Sequence, residues 1–204
     1  MPISAVEPLY ENVPIEFRRA RWTRDHYRQL VTAGVDPKQF ELLEGELVDR
    51  MGKKRPPVNA LLELHSWLTQ VFGKLFVNTE APIDVAPGDN AVNEPEPDLI
   101  VLTRPSWEYS SNPPPNELRL VIEISDSSLG LDLKRKSNLY ARASIAEYWV
   151  VDIPNHRIIV HRQPAEGRYQ SVIAYLEHES VTPHAAPEAL FEVRRAFLPQ
   201  TPEA

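Results

Sequence analysis

The segment from Arg119 to Asp152 constrains the fold of this chain more than any other. It reads RLVIEISDSSLGLDLKRKSNLYARASIAEYWVVD, with an apolar run near each end that is typical of a buried strand. Glu123 stands in the middle of the first run, although burying a charged carboxylate is costly. A buried strand, a charged helix and a second buried strand suit an active site, and they also suit an ordinary core.

Length and composition limit the number of domains. With 204 residues, 42% of them hydrophobic, the chain can bury one full core. We expect an N-terminal arm at 1–22, a single domain at 23–195 and a flexible C-terminal tail at 196–204. The sequence has no run of the ~20 apolar residues that span a bilayer, no secretory signal pattern and no cysteine. These features predict a soluble, cytoplasmic protein with no membrane partner.

The net charge of −7 argues against a protein that coats nucleic acid non-specifically, since such binding neutralises phosphates with Lys and Arg. It does not exclude a nuclease, which can be acidic overall while carrying local basic clusters such as LKRKS at 133–137. Taken alone, such a cluster is more often a solvated face.

Hydrophobic periodicity predicts helices alternating with strands. Thr23 suits an N-cap and Gly34 a helix stop, and further helices are predicted at 58–76 and 132–143. The predicted strands are a hairpin at 39–51, single strands at 77–85, 97–102, 118–125 and 147–153, and a hairpin from 157–163 and 169–176. Strands interleaved with helices favour an α/β fold, a mixed sheet with helices on its faces.

Two carboxylates are candidates for one site. Side chains alternate along a strand, so Glu123, Ser125 and Val121 share a face. Asp98 begins the predicted strand PDLIVL. If that strand pairs with the Glu123 strand, the two carboxylates converge as hard oxygen ligands, which suit Mg²⁺ or Mn²⁺.

The following helix supplies a candidate lysine. Asp132, Lys136 and Tyr140 are four residues apart and therefore lie near one line along the helix. Lys136 could reach the metal site and act on water or phosphate, or it could form a structural ion pair with Glu123. Either arrangement would compensate the buried carboxylate.

The motifs EPDLIVL and LVIEISDSSLGLDLKRKSNLYARASIAEYWVVD, together with ELLEGELVD near the N-terminus, resemble the Uma-type restriction endonuclease family of the PD-(D/E)xK nuclease superfamily. The resemblance covers roughly Thr23 to Leu190. It implies a restriction-endonuclease-like core of a helix, three antiparallel strands, a helix and a parallel strand, with β-hairpins added at both ends. It also implies a phosphodiesterase site in which Asp98 and Glu123 bind the metal.

The chain departs from the superfamily pattern at Ser125, which stands where the ExK motif has lysine. In this family the lysine is expected on the next helix, where Lys136 matches and Lys134 is the second choice. Glu44 and Glu46 match the family motif and are hypothesised to approach the metal, although Glu-rich turns are more often structural. Ser125 and Tyr140 are further candidates.

The sequence therefore predicts a metal-dependent endonuclease that hydrolyses DNA, with catalytic Asp98, Glu123 and Lys136 and with Mg²⁺ or Mn²⁺ held by Asp98 and Glu123. A homodimer is expected, since cutting both strands needs two sites. The alternative is a catalytically inactive module of the same fold that binds nucleic acid or protein. The acidic net charge favours that alternative, as does the absence of the histidine that the family often carries near the start of the first long helix.

Overall fold

The computed structural model describes residues 20–36, 39–49 and 55–197. Most of the predicted arm at 1–22 and of the predicted tail at 196–204 lies outside these ranges. Within them, Ala196 is buried in a 3₁₀ turn at Val193–Ala196. None of the helices in the described ranges has the length and apolar character that crossing a bilayer requires.

Two small elements precede the main sheet. Helix α1 spans Arg24–Thr32 and is capped by Thr23, whose side chain accepts a hydrogen bond from the His26 backbone. Strands β1 (Phe40–Leu43) and β2 (Glu46–Asp49) form the predicted hairpin. Helix α2 follows at Arg55–Phe72 and ends before Gly73, which has φ +91°.

Six strands form one mixed sheet in the order β3-β4-β5-β6-β7-β8. The β5–β6 pair is parallel and the other four pairs are antiparallel. The strand bounds are β3 Val77–Thr79, β4 Leu99–Leu102, β5 Leu118–Ser125, β6 Glu147–Asp152, β7 Arg157–Ala165 and β8 Arg168–Leu176. A short pair, β9 Ser180–Val181 and β10 Phe191–Glu192, follows.

A composite helix connects β5 to β6. It consists of α3 (Leu129–Leu131), a π-helical segment (Asp132–Lys136) and α4 (Ser137–Arg142). The predicted order of a helix, three antiparallel strands, a helix and a parallel strand is thus confirmed. The hairpins β1–β2 and β7–β8 add to this core.

Three predicted elements differ from the structure by three residues or more at one or both ends. The helix predicted at 58–76 spans Arg55–Phe72. The strand predicted at 77–85 ends at Thr79, because Glu80 takes φ +47° and Pro82 has no backbone N–H to donate. The helix predicted at 132–143 begins three residues earlier and is π-helical in its middle.

The central strands β4, β5 and β6 of the sheet are buried on both faces. Ile122 and Ile124 of β5 pack towards α2, in a cluster that contains Leu64 and Leu68. Val121, one position out of phase, belongs to the cluster formed with α4 on the opposite face. The alternation predicted for β5 is confirmed, and it directs Glu123 towards the composite helix.

Candidate active site

Strand pairing brings Asp98 and Glu123 to the same place on the sheet. In the antiparallel register of β4 and β5, Leu99 lies opposite Ile122. Extending this register by one residue sets Asp98, directly before β4, opposite Glu123. The Asp98 Oδ2 atom accepts a hydrogen bond of 2.6 Å from the Ile124 backbone N–H. Both carboxylates therefore lie at one end of the β4–β5 pair.

Lys136 joins these carboxylates from the composite helix. Its Nζ atom lies 2.9 Å from Glu123 Oε1 and 2.9 Å from Glu41 Oε2. The lysine is buried, whereas Lys134 is exposed. The Tyr140 hydroxyl donates to the same Glu123 Oε1 atom at 3.0 Å. The placement predicted for Lys136 and Tyr140 is observed, and their roles stay predictions.

Ser125, two residues after Glu123 in β5, contacts Asp132. The hydroxyls of Ser125 and Ser128 donate to Asp132 Oδ2 at 2.8 and 2.7 Å. Asp132 Oδ1 lies 4.0 Å from Lys136 Nζ. Ser125 thus fixes a third carboxylate beside the lysine.

Glu41 was missed by sequence reasoning. It lies in β1 and is only 3% exposed. One of its carboxylate oxygens contacts Lys136, and the other accepts a hydrogen bond of 2.9 Å from the Glu96 backbone. The available signal was the one that marked Glu123, namely a carboxylate inside an apolar run, here FELL.

Glu44 and Glu46 contact arginines of the composite helix. Glu44 lies in the hairpin turn with φ +52°, 3.2 Å from Arg135 and 3.5 Å from Arg142. Glu46 lies 2.9 Å from Arg135. Arg135 also donates to the Leu43 carbonyl. These contacts connect the β1–β2 hairpin to the composite helix and so help to position Glu41. They indicate a structural role for the turn.

The cluster carries more acidic than basic groups. Burial raises the pKa of Glu123 well above its ordinary value, and Asp132, Asp98 and Glu41 raise it further, while Lys136 opposes the shift. Burial alone would lower the pKa of Lys136, but the charges of Glu123, Glu41 and Asp132 outweigh it and raise that pKa. Three carboxylates thus lie within 4.0 Å of one ammonium group, and Asp98 acts on Glu123 as a fourth.

Carboxylate oxygens are the ligands that hard divalent cations prefer. Glu41, Asp98 and Glu123 are the carboxylates of the cluster that could contribute such oxygens, and Asp98 and Glu41 both raise the pKa of Glu123. In the arrangement observed, the ammonium group bridges Glu41 and Glu123. As arranged here, no three Asp, Glu, His or Cys side chains of the described residues, this cluster included, form a group that could hold a metal ion.

The fold and this cluster define a chain of the restriction-endonuclease-like class. Its family follows from comparison with known sequences: the Uma2 model, described as "Putative restriction endonuclease", matches residues 24–194. The chain belongs to the Uma2 family. No curated protein matches it.

A solved structure shares the fold. It is described as "a putative nuclease belonging to DUF820" from Anabaena variabilis ATCC 29413. It superposes with a TM-score of 0.66 at 16% sequence identity, covering 86% of this chain and 97% of the other. The similarity therefore extends beyond the sheet to nearly the whole of that protein.

Proposed function

We propose that this protein is a metal-dependent endonuclease that hydrolyses phosphodiester bonds of DNA. One observation carries the proposal: Asp98, Glu123 and Lys136 meet in one buried cluster of a Uma2-family fold. The family description, restriction endonuclease, supports DNA as the substrate.

Asp98 and Glu123 would hold Mg²⁺ or Mn²⁺, and Glu41, which contacts the same Lys136 ammonium group as Glu123, is a further candidate ligand. When bound, such an ion lowers the pKa of a water molecule and stabilises charge on the phosphate. The Lys136 ammonium stays protonated and donates hydrogen bonds to the attacking water or to a phosphate oxygen. Tyr140 orients Glu123 through the hydrogen bond to Oε1.

The alternative, an inactive module that binds nucleic acid or protein, is favoured by a separate observation. Asp98, Glu123 and Lys136 are each at most 6% exposed, and the lysine already neutralises part of the carboxylate charge. A purely structural ion-pair cluster would have the same geometry. Titration with Mn²⁺ separates the two functions.

The decisive experiment incubates plasmid and single-stranded DNA with the protein across Mg²⁺ and Mn²⁺ concentrations. We expect the wild type to cleave, Asp98→Ala to be inactive, and the control Asp25→Ala, which removes an 84% exposed carboxylate, to remain active. Calorimetry should show Mn²⁺ binding that Asp98→Ala loses. A wild type that neither cleaves DNA nor binds Mn²⁺ would support the inactive module.

A further inference from the structure

A groove of about 460 Å³ lies between the composite helix and the β7–β8 hairpin. The residues that line it within the described ranges include two arginines, one histidine and no Asp or Glu. In a protein with 29 acidic residues and a net charge of −7, such a lining sets this surface apart. The surface suits a ligand that carries negative charge.

The floor of the groove is largely apolar, with its β7 residues Ile159 and His161 buried and its β8 residues Val172 and Ala174 exposed. Ile159 and His161 of β7 lie opposite Ala174 and Val172 of β8 in the strand register, so all four share one face of the sheet. The composite helix lines the other side of the groove but does not cover Val172, which is 54% exposed. A flat apolar surface of this kind can support a nucleobase or a sugar.

The two arginines lie at the two ends of the hairpin. Arg157 begins β7, and Asp152 accepts a hydrogen bond of 2.7 Å from its Nε atom. Arg168 is exposed, begins β8 and pairs in register with Ala165. Arg157 and Ala165 are eight strand steps apart, roughly 26 Å at ~3.3 Å per residue. Arg168 thus offers an exposed cation at one end of the hairpin, and Arg157, already ion-paired with Asp152, lies at the other. An extended polyanion that runs along the hairpin would meet both.

The composite helix forms the wall between this groove and the carboxylate cluster. Leu133 and Ser137 line the groove, and their chain neighbours Asp132 and Lys136 face the cluster. Asn138 adds an exposed amide to the groove side of the helix. A strand lying in the groove would therefore pass beside the helix that carries the proposed catalytic lysine.

We propose that the groove binds one strand of nucleic acid, with phosphates at Arg168 and Arg157 and bases over the Ile159–Val172 floor. The charge of the lining favours a phosphodiester chain over an apolar peptide, and the groove's volume favours one strand over a duplex. Identifying this strand as the substrate rests on the proposed function. Binding in the groove does not.

The test measures fluorescence anisotropy of a labelled single-stranded oligonucleotide in EDTA at several salt concentrations, so that cleavage plays no part. We expect Arg168→Ala to weaken binding several-fold and to flatten the slope of log K against log salt by about 0.7, the value for one phosphate contact on a single strand. Val172→Glu, which puts a carboxylate on the floor, should weaken binding further. The control Arg28→Ala, at an arginine 63% exposed on α1, should bind like the wild type.

Each outcome separates the groove from the catalytic proposal. Equal affinity of wild type, Arg168→Ala and Val172→Glu would overturn the groove, whether or not the wild type cleaves DNA. Preference for a duplex, or equal competition by a polyglutamate peptide, would also overturn it. Groove-dependent binding by a wild type that never cleaves would support the groove while removing the nuclease function.

Discussion

At the scale of single residues, two glutamates inside apolar strands share one partner. Glu41 in β1 and Glu123 in β5 are both nearly inaccessible, and each lies 2.9 Å from the Lys136 ammonium group. Burying a carboxylate without a partner costs several kcal/mol, so both strands depend on this one cation. Lys136 therefore has a stabilising role whatever its part in catalysis.

Lys136→Ala should lower DNA cleavage at least about a hundred-fold while leaving Mn²⁺ binding largely intact, because the lysine acts on water or phosphate and is not a ligand. Lys134→Ala, at an exposed position two residues earlier, should stay active. Cleavage rate, Mn²⁺ calorimetry and thermal unfolding check this together, since loss of the buried cation should also destabilise the fold by about 3–5 kcal/mol. An active Lys136→Ala beside an inactive Lys134→Ala would assign the lysine role to Lys134.

Glu41→Gln should reduce cleavage about 10- to 100-fold, in the range found for groups that position a catalytic site. The substitution keeps the side-chain volume and an oxygen for the Glu96 backbone N–H, but it removes one of the two charges on Lys136. Glu44→Gln is the matched control. Its ion pairs are half exposed, so its rate should change less than about five-fold. Equal activity of both variants would show that Glu41 is dispensable.

The raised pKa of Glu123 predicts a pH dependence with a definite sign. A carboxyl group whose pKa is higher in the folded state stabilises the protein below its ordinary value of 4.5 and loses that contribution as pH rises through the raised pKa. Metal-free protein should thus lose stability as pH rises through the raised pKa of Glu123, while Mn²⁺ affinity rises because the ligand must be ionised. Thermal unfolding with and without Mn²⁺ measures both trends. Glu123→Gln should flatten them, and an unchanged slope would contradict the assignment.

At the scale of elements, the π-helical segment Asp132–Lys136 determines which residues of the composite helix face the sheet. A π-helical turn contains more residues than an α-helical one, and such turns occur often at functional sites. Asp132, Lys136 and Tyr140 are all buried on the sheet side, whereas Lys134 is exposed. The π-helical segment thus accommodates an additional residue in the composite helix while Lys136 still faces the carboxylates.

Deleting Lys134 should convert the π-helical segment to α-helix with little rotation of the flanking residues, because the wide turn accommodates one residue more than an α-helical turn. Lys136 should then stay in the cluster, and cleavage should persist. Lys134→Ala removes the same side chain without changing the length, which makes it the control. Circular dichroism would verify that the deleted chain is folded. Loss of cleavage in a folded deletion variant, with Lys134→Ala still active, would contradict this prediction and show that the π-helical segment itself is needed.

The sequence predicted the long elements better than the local irregularities. Strands β5 and β6 are largely apolar runs, which the sequence pattern predicts as buried strands. The carboxylate of Glu123 within β5 indicated the position of the candidate site. The end of β3 at Thr79 depends on the φ +47° conformation of Glu80, and the π-helical segment depends on packing against the sheet. Neither leaves a periodic signal. Glu41 was overlooked because the adjacent EGE turn offered two more conspicuous glutamates.

At the scale of the whole molecule, we predict a homodimer. Cutting both strands of a duplex needs two sites, and the described surface includes large apolar side chains outside the groove, such as Trp107 at 66%, Ile173 at 49% and Leu176 at 46% exposure. Multi-angle light scattering at micromolar concentration should give about twice the chain mass of 23.3 kDa. A monomeric mass would contradict this prediction.

The contacts that hold the β1–β2 hairpin at the site close a longer chain loop than the Lys136–Glu123 contact does, and they therefore cost more conformational entropy. Lys136 and Glu123 are 13 positions apart, whereas the contact of Arg135 with Glu44, which fastens the hairpin, spans 91. Closing the longer loop costs about 1.7 kcal/mol more, since the cost grows as (3/2)RT ln n. The hairpin forms a two-stranded sheet of its own, joined to the loop before β4 by a bridge between Leu42 and Glu94. Local unfolding of this hairpin would expose the buried cluster to solvent while the six-stranded sheet stays folded.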